Sequence, residues 1–459
     1  MHTTGIKSVV KTIPLAALVA LSLGLGTVSA VAQEGEQKEE RKTVKTGAMS
    51  TKVNNLFAEA QALAAPEDPN QPADIAGALE KLDQIKAMPK LSEYEQGQLY
   101  NFYGFMYYSQ ERYRDSIAAY EKVLSLTEIP PGLRSQVIYT LAQLKFTTEE
   151  YQAAIKLLRD WLATQENPGP DPYALIATAY YQLSAQEEQG SAKAREYVNE
   201  IIPNINKALE IAAARETKPK EQWYLLLRVA YWDKEDMQKV REILQILVTN
   251  WPKKEYWAQL SAVYGELEKE QKQLSSFAAL YDQDLLSTNS EYVQAASLYL
   301  SQDVPYKAAK IMEEGFEKGI IDRNPKNLRL YSQAWALARE DRKAIDPLKE
   351  AAKLSKDGEL DIRLAQSYLN LSEYKSCVSA ARTGIKKGDI NRADIANMIL
   401  GMCLFETDDL SNAKAAFRQA AKDERSENSA RQWLTFIKSE EDRIERLEAS
   451  LASLQAAGS

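Results

Sequence analysis

The stretch Trp257-Ala258-Gln259-Leu260-Ser261-Ala262-Val263-Tyr264, followed by Phe277 and Leu280, decides how the chain folds. An aromatic is followed three residues on by an apolar residue, next by a small one, and three further on by a tyrosine. That spacing lines one face of a helix. Phe277 and Leu280 supply the matching face of a second helix. The pattern recurs as Tyr100, Tyr103, Gly104, Tyr107, Ser116, Tyr120, Val123, and again as Asn397, Leu400, Gly401, Leu404, Ala413, Phe417, Ala420. Aligning the small residue of every copy selects Gly104, Ala142, Ala177, Arg228, Ser261, Ala296, Ser332, Ala365 and Gly401, with gaps of 38, 35, 51, 33, 35, 36, 33 and 36. The long gap marks an insertion between Ser184 and Ala214, and Arg228 breaks the small-residue rule. Small residues such as Ala154, Ala308, Ala344 and Ala413 let paired helices approach closely. One hairpin cannot bury its own stripe, so hairpins must stack.

This register resembles the tetratricopeptide repeat (TPR) family, whose period is about 34 residues. The resemblance spans nine repeats from Gln98 to Arg425 and implies an all-α, right-handed α-solenoid of nine to ten hairpins. A degenerate pair (residues 51–90) precedes the solenoid (91–426), with helices expected over Val53–Ala64 and Asp74–Ala87 and Ala78, Leu82 and Ile85 at repeat positions. Residues 427–459 read as a polar-faced capping helix and tail. Asp303 with Pro305 reads as a helix start, Pro203 should divide the inserted helical material, Pro347 should kink a second helix, and Pro252 should end one.

Composition agrees: 19 glycines and 16 prolines in 459 residues are too few for a turn-rich β fold, while 45% apolar and 27% charged residues make a globular chain. Residues 1–32 read as a signal peptide, with Lys7 and Lys11 ahead of an apolar run from Ile13 to Leu25. Ala30-Val31-Ala32 then supplies small residues for cleavage after Ala32, or after Ala30. The expected destination is a bacterial periplasm, with no membrane insertion after cleavage. Residues 33–50 read as a charged, flexible linker. The single histidine, His2, falls in the leader, so the mature chain lacks imidazole for triads, zinc sites or pH switching. A net charge of −8 disfavours nucleic acid as a partner. Cys377 and Cys403 read as two buried thiols, with a disulfide the other option in an oxidising compartment.

No phosphate loop, GxSxG, CxxC or acidic calcium loop is present, and paired carboxylates such as Glu149-Glu150 read as solvated helix faces. The expectation is a non-enzyme without cofactor or metal. In the TPR family the first helix of each repeat lines a concave groove, and carrying one groove position along the chain reaches Tyr108, Phe146, Tyr181 and Trp232. Neighbouring groove positions hold Asn101, Phe105, Tyr139, Gln143 and Gln182. Rigid rings interleaved with amides suit an extended peptide. The alternative is that these rings pack between adjacent helices. Gln98, Asn101, Gln136, Tyr139 and Thr140 stand where carboxylate-clamp members of the family carry Lys, Asn and Arg, so that mode is disfavoured. In the last helix Ile444, Leu447, Leu451 and Leu454 form a short heptad-like seam, either a simple cap or a homodimer contact.

Stretches such as Gln110-Glu111-Arg112-Tyr113, Trp223-Tyr224-Leu225-Leu226-Leu227-Arg228, Pro252-Lys253-Lys254-Glu255-Tyr256-Trp257, Gln333-Ala334-Trp335-Ala336 and Ala430-Arg431-Gln432-Trp433-Leu434 resemble exported TPR proteins of Gram-negative bacteria associated with TonB energy-transduction systems. That resemblance implies an accessory scaffold of iron–siderophore uptake that binds TonB-complex subunits. The other readings are an envelope-assembly adaptor and a glycan-binding TPR protein.

Overall fold

The computed structural model describes residues 47–66, 68 and 71–457, and side chains as far as 452. The leader and most of the linker lie outside the described residues. Gly47–Ser50 do not hang free: Ser50 donates its N–H and its hydroxyl to Glu95, both at 2.9 Å. The described residues form 21 helices and no strand. None of the helices is long and apolar enough to cross a membrane.

Two compact units divide between Trp251 and Pro252. The first holds five hairpins: α1 (Thr51–Ala64) with α2 (Ile75–Lys86), α3 (Glu93–Ser109) with α4 (Tyr113–Leu124), and α5 (Pro131–Thr147) with α6 (Tyr151–Leu162). It continues with α7 (Asp171–Gln186) and α8 (Ala192–Ala214), then α9 (Glu221–Asp233) and α10 (Met237–Asn250). The second unit pairs α11 (Lys254–Glu266) with α12 (Glu270–Asp282), α13 (Asn289–Ser301) with α14 (Pro305–Glu317), and α15 (Pro325–Leu337) with α16 (Asp341–Leu354). It ends with α17 (Glu359–Asn370) and α18 (Tyr374–Lys387), α19 (Ala393–Phe405) and α20 (Leu410–Ala420), and a single long helix, α21 (Glu424–Ala457). In each unit every helix packs on its neighbours in sequence, and some odd helices also touch directly, α7 with α9 and α17 with α19. Direct contact between helices two apart puts α7 and α9 on the inner side of the first stack and α17 and α19 on that of the second.

The small residue of each copy marks where paired helices cross. A Cβ at Gly104 would lie 2.6 Å from the ring of Tyr120, and one at Gly401 2.8 Å from that of Phe417. Hydroxyls bind the same crossings: Ser116 donates to the Gly104 carbonyl at 2.7 Å, and Ser332 to that of Ala344 at 2.8 Å. Ala78, Leu82 and Ile85 are fully buried, so the first pair packs as the repeat register predicts.

Eight of the ten hairpin turns share one construction. Glu111, Glu149, Glu235, Glu268, Asp303, Arg339, Ser372 and Asp408 all have positive φ, between 55° and 63°. In each turn that residue donates its N–H to the carbonyl three back, and the next residue donates to the carbonyl five back, as with Glu149 to Phe146 (3.1 Å) and Glu150 to Lys145 (2.8 Å). This is a Schellman cap, normally closed by glycine. A left-handed L-residue costs about 1–2 kcal/mol, partly offset by the entropy glycine would add to the unfolded chain. Glu149→Gly should therefore stabilise the first unit by about 0.5–1 kcal/mol, and Glu149→Val should lower its urea midpoint.

Four sequence expectations are corrected. Asp303 is the left-handed turn residue, and Val304 is the residue that precedes Pro305 at the helix start. Pro203 does not divide α8, which runs 23 residues through it. Its ring is exposed, while Tyr197, Val198, Ile201, Ile205 and Ala208 keep a continuous buried stripe on the opposite side. Asn204 Nδ2 donates to the Glu200 carbonyl at 2.8 Å, next to the missing proline N–H. Pro347, expected to kink a second helix, does lie inside one, α16. Cys377 and Cys403 are fully buried but are not thiols; they form a disulfide with Cα atoms 6.1 Å apart. The last helix begins at Glu424 and not at Glu427.

The start of α21 is held by Asp394, which is 4% exposed. Its carboxylate accepts from Arg392 Nε and Nη2 (2.9 and 2.7 Å) and from the Ser426 hydroxyl at 2.6 Å. The Arg392 guanidinium, against the opposing effect of burial, holds this carboxyl well below its ordinary value of 3.8. A carboxyl depressed by folding adds stability that is complete above its unfolded value and is lost as pH falls through the folded one. Docking of α21 should therefore persist at pH 5 and fail only in strong acid. The Trp433 resonance of fluorotryptophan-labelled protein, from a ring stacked 5.2 Å from Phe417, reports it. Asp394→Asn should weaken docking at neutral pH and remove this group's acid dependence.

Candidate functional site

All nine groove candidates lie in the first unit, on the odd helices α3, α5, α7 and α9. For three of the four aromatics the turn hydrogen bonds define the position. Tyr108, Phe146 and Trp232 supply the carbonyls that accept from Glu111, Glu149 and Glu235, at 2.9, 3.1 and 3.0 Å. Each therefore sits in the last turn of an odd helix, at the same level of the repeat. Tyr181, the register equivalent in α7, lies five residues before that helix ends, and the Ser184 hydroxyl donates to its carbonyl at 2.7 Å.

Equal position does not give equal exposure. Phe146 is 3% exposed, its ring edge-on to Tyr151 at 5.2 Å, and so belongs to the interior of its own hairpin. Tyr108 leans on Tyr113 at 5.9 Å but stays partly exposed, and burial raises its hydroxyl pKa. Tyr139 lies 4.8 Å from Trp161 of α6, turned towards its own second helix. Phe105 stacks on Phe102 at 6.3 Å, and Phe102 meets Phe57 of α1 edge-on at 6.2 Å. Tyr181, Gln182 and Trp232 are partly exposed, as are Asn101 and Gln143.

The residue that sequence reasoning left out is Arg228. It occupies the small-residue position of α9 and is partly exposed, and its positive charge acts on the Tyr181 hydroxyl, opposing the rise that burial imposes there. Because α7 and α9 touch, this cation stands where two inner helices meet. Its departure from the repeat rule was the available signal. The site thus combines two rings, Tyr181 and Trp232, with a guanidinium and the amide of Gln182. Tyr108, Phe105, Asn101 and Gln143 hold the matching register positions on α3 and α5. Such a surface offers planar apolar area, amide donors and acceptors, and one positive charge, which is equipment for binding. Among the described residues no cluster of His, Cys, Asp or Glu could hold a metal ion.

The helix-hairpin period and the crossing glycines agree with the register read from the sequence. The hairpins stack as a tetratricopeptide-like register expects. No family model matches the chain, and no curated protein does. Among solved structures it is similar to the yeast Sti1 TPR2AB-domain:pHSP90 complex, at 15% identity over 63% of this chain and 99% of that one, TM-score 0.31. It is also similar to YrrB, described as a TPR protein with an unusual peptide-binding site (15%, 41% and 95%, TM-score 0.34), and to the APC/C hetero-tetramer Cut9-Hcn1 (13%, 84% and 87%, TM-score 0.29).

Proposed function

We propose that the chain is a non-enzymatic periplasmic scaffold whose first unit grips an extended segment of a partner protein, and that the partner belongs to a TonB energy-transduction system. The observation that carries the grip is the cluster of Tyr181, Gln182, Arg228 and Trp232 on two touching inner helices, partly exposed where the equivalent Phe146 is sealed. Rings lose little entropy on binding, and the amides match a peptide backbone. The buried Cys377–Cys403 disulfide supports an oxidising compartment. The TonB partner rests on the resemblance of the quoted stretches to exported TPR proteins of those systems.

Affinity capture from detergent-solubilised envelopes tests this reading. The wild-type chain should recover TonB-complex subunits. Trp232→Ala should weaken the contact by about 2 kcal/mol, roughly a 30-fold loss, and Ile246→Ala, on exposed α10 surface, should not. Recovery of no TonB-complex subunit would contradict the partner, and equal recovery by Trp232→Ala would contradict the groove.

A further inference from the structure

The end of α21 carries an apolar stripe that nothing in its own unit covers. Near its start the helix packs through Ala430, Trp433, Leu434 and Ile437 on the last hairpin, and the Lys414–Glu441 ion pair (2.5 Å) ties it to α20. From Asp442 to Ala452 every residue is exposed. Phe436 (47%), Ile444 (39%), Leu447 (50%) and Leu451 (57%) are exposed large apolar residues of this helix. At about 100° per residue they fall within roughly 80° of arc, and the sequence continues the spacing at Leu454. By the same count, taken from Phe436, Ala430, Trp433, Leu434 and Ile437 fall at about 60–160°, so the stripe shares only the Trp433 edge of the face that packs on the hairpin. This segment extends a helix already nucleated on the hairpin but has no tertiary support of its own, which leaves the stripe open to a partner.

We infer that the distal part of α21 pairs in parallel with the same helix of a second copy. Placing Ile444 at a and Leu447 at d gives the branched-at-a, leucine-at-d order that favours two parallel strands, with Leu451 at the next a. The flanking positions then become Arg443 (g) and Glu448 (the following e). A parallel pair brings Arg443 of one copy to Glu448 of the other, twice, whereas an antiparallel pair centred on Leu447 sets Arg443 near Ser450. The remainder of the segment argues against a lipid surface: Glu440, Glu441, Asp442, Glu445 and Glu448 outnumber Arg443 and Arg446, while interfacial helices carry basic polar faces.

Sedimentation equilibrium of the full chain over a concentration series tests this. The apparent mass should rise towards twice the monomer value, and Leu447→Glu with Leu451→Glu should stay at the monomer mass throughout with its helix content otherwise kept. Glu448→Arg should shift the association to several-fold higher concentration, and adding Arg443→Glu should restore it. A wild-type chain that is monomeric at every concentration overturns the proposal and leaves the stripe to an amphipathic segment of another protein. So does a dimer indifferent to the two glutamates. Loss without rescue by the charge exchange overturns the parallel arrangement.

Discussion

Trp335→Ala should lower the stability of the second unit by about 3–5 kcal/mol and leave the unfolding of the first unit unmoved. Trp335 is 1% exposed and sits in a core with Tyr292, Ala296, Ala308, Ala309 and Met312, so one side chain joins two consecutive hairpins, α13–α14 and α15–α16. Tyr306 meets its ring edge-on at 5.6 Å, and the Lys343 ammonium lies 4.5 Å above it. Removing the indole leaves a cavity that helices fixed on both sides cannot close. In stacked repeats each unit contacts only its neighbours, so the damage should appear as an earlier transition confined to α13–α16. Hydrogen exchange resolved by peptide checks this. Loss of protection spread evenly over both units would contradict it.

Replacing the disulfide by Cys377→Ala with Cys403→Ala should cost about 3.5 kcal/mol, from the loop entropy of a 26-residue separation. The bond joins α18 to α19, the second helix of one hairpin to the first of the next, inside a core with Ala365, Ala380, Ala381 and Ile399. Both sulfur-bearing residues are fully buried. A mild thiol reductant should therefore leave the native chain oxidised and act only in denaturant. Thiol counting by mass spectrometry after alkylation checks both statements, and free thiols in the native chain would contradict them.

The repeat was legible because burial imposes it: an inner stripe, a small crossing residue and a second stripe recur wherever hairpins stack. Even the first pair, with its long loop, could be placed from Ala78, Leu82 and Ile85. The turns were not legible. Sequence rules expect glycine at a left-handed position, and Glu111, Glu149 or Arg339 carries no such mark. Asp303 looked like a cap for the same reason.

In the site, the periodicity of one helix says which residues share its inner row, and not what the next helix brings against them. Tyr108 and Phe146 each have a tyrosine five residues on, at the first position of the second helix. Trp232 has Met237 there, and at that distance from Tyr181 α7 is still helical, at Gln186. That difference across the turn separates the rings that meet a tyrosine of their own second helix from those that do not. The disulfide also lay beyond periodicity, since it depends on which faces of α18 and α19 meet.

The most direct measurement places a benzophenone amino acid at Tyr181, at Trp232 and, on α10, at Ile246, and irradiates living cells. The account predicts adducts with one partner protein from the two inner positions and none from Ile246. Adducts from Ile246 alone, or none from either inner position, would contradict it.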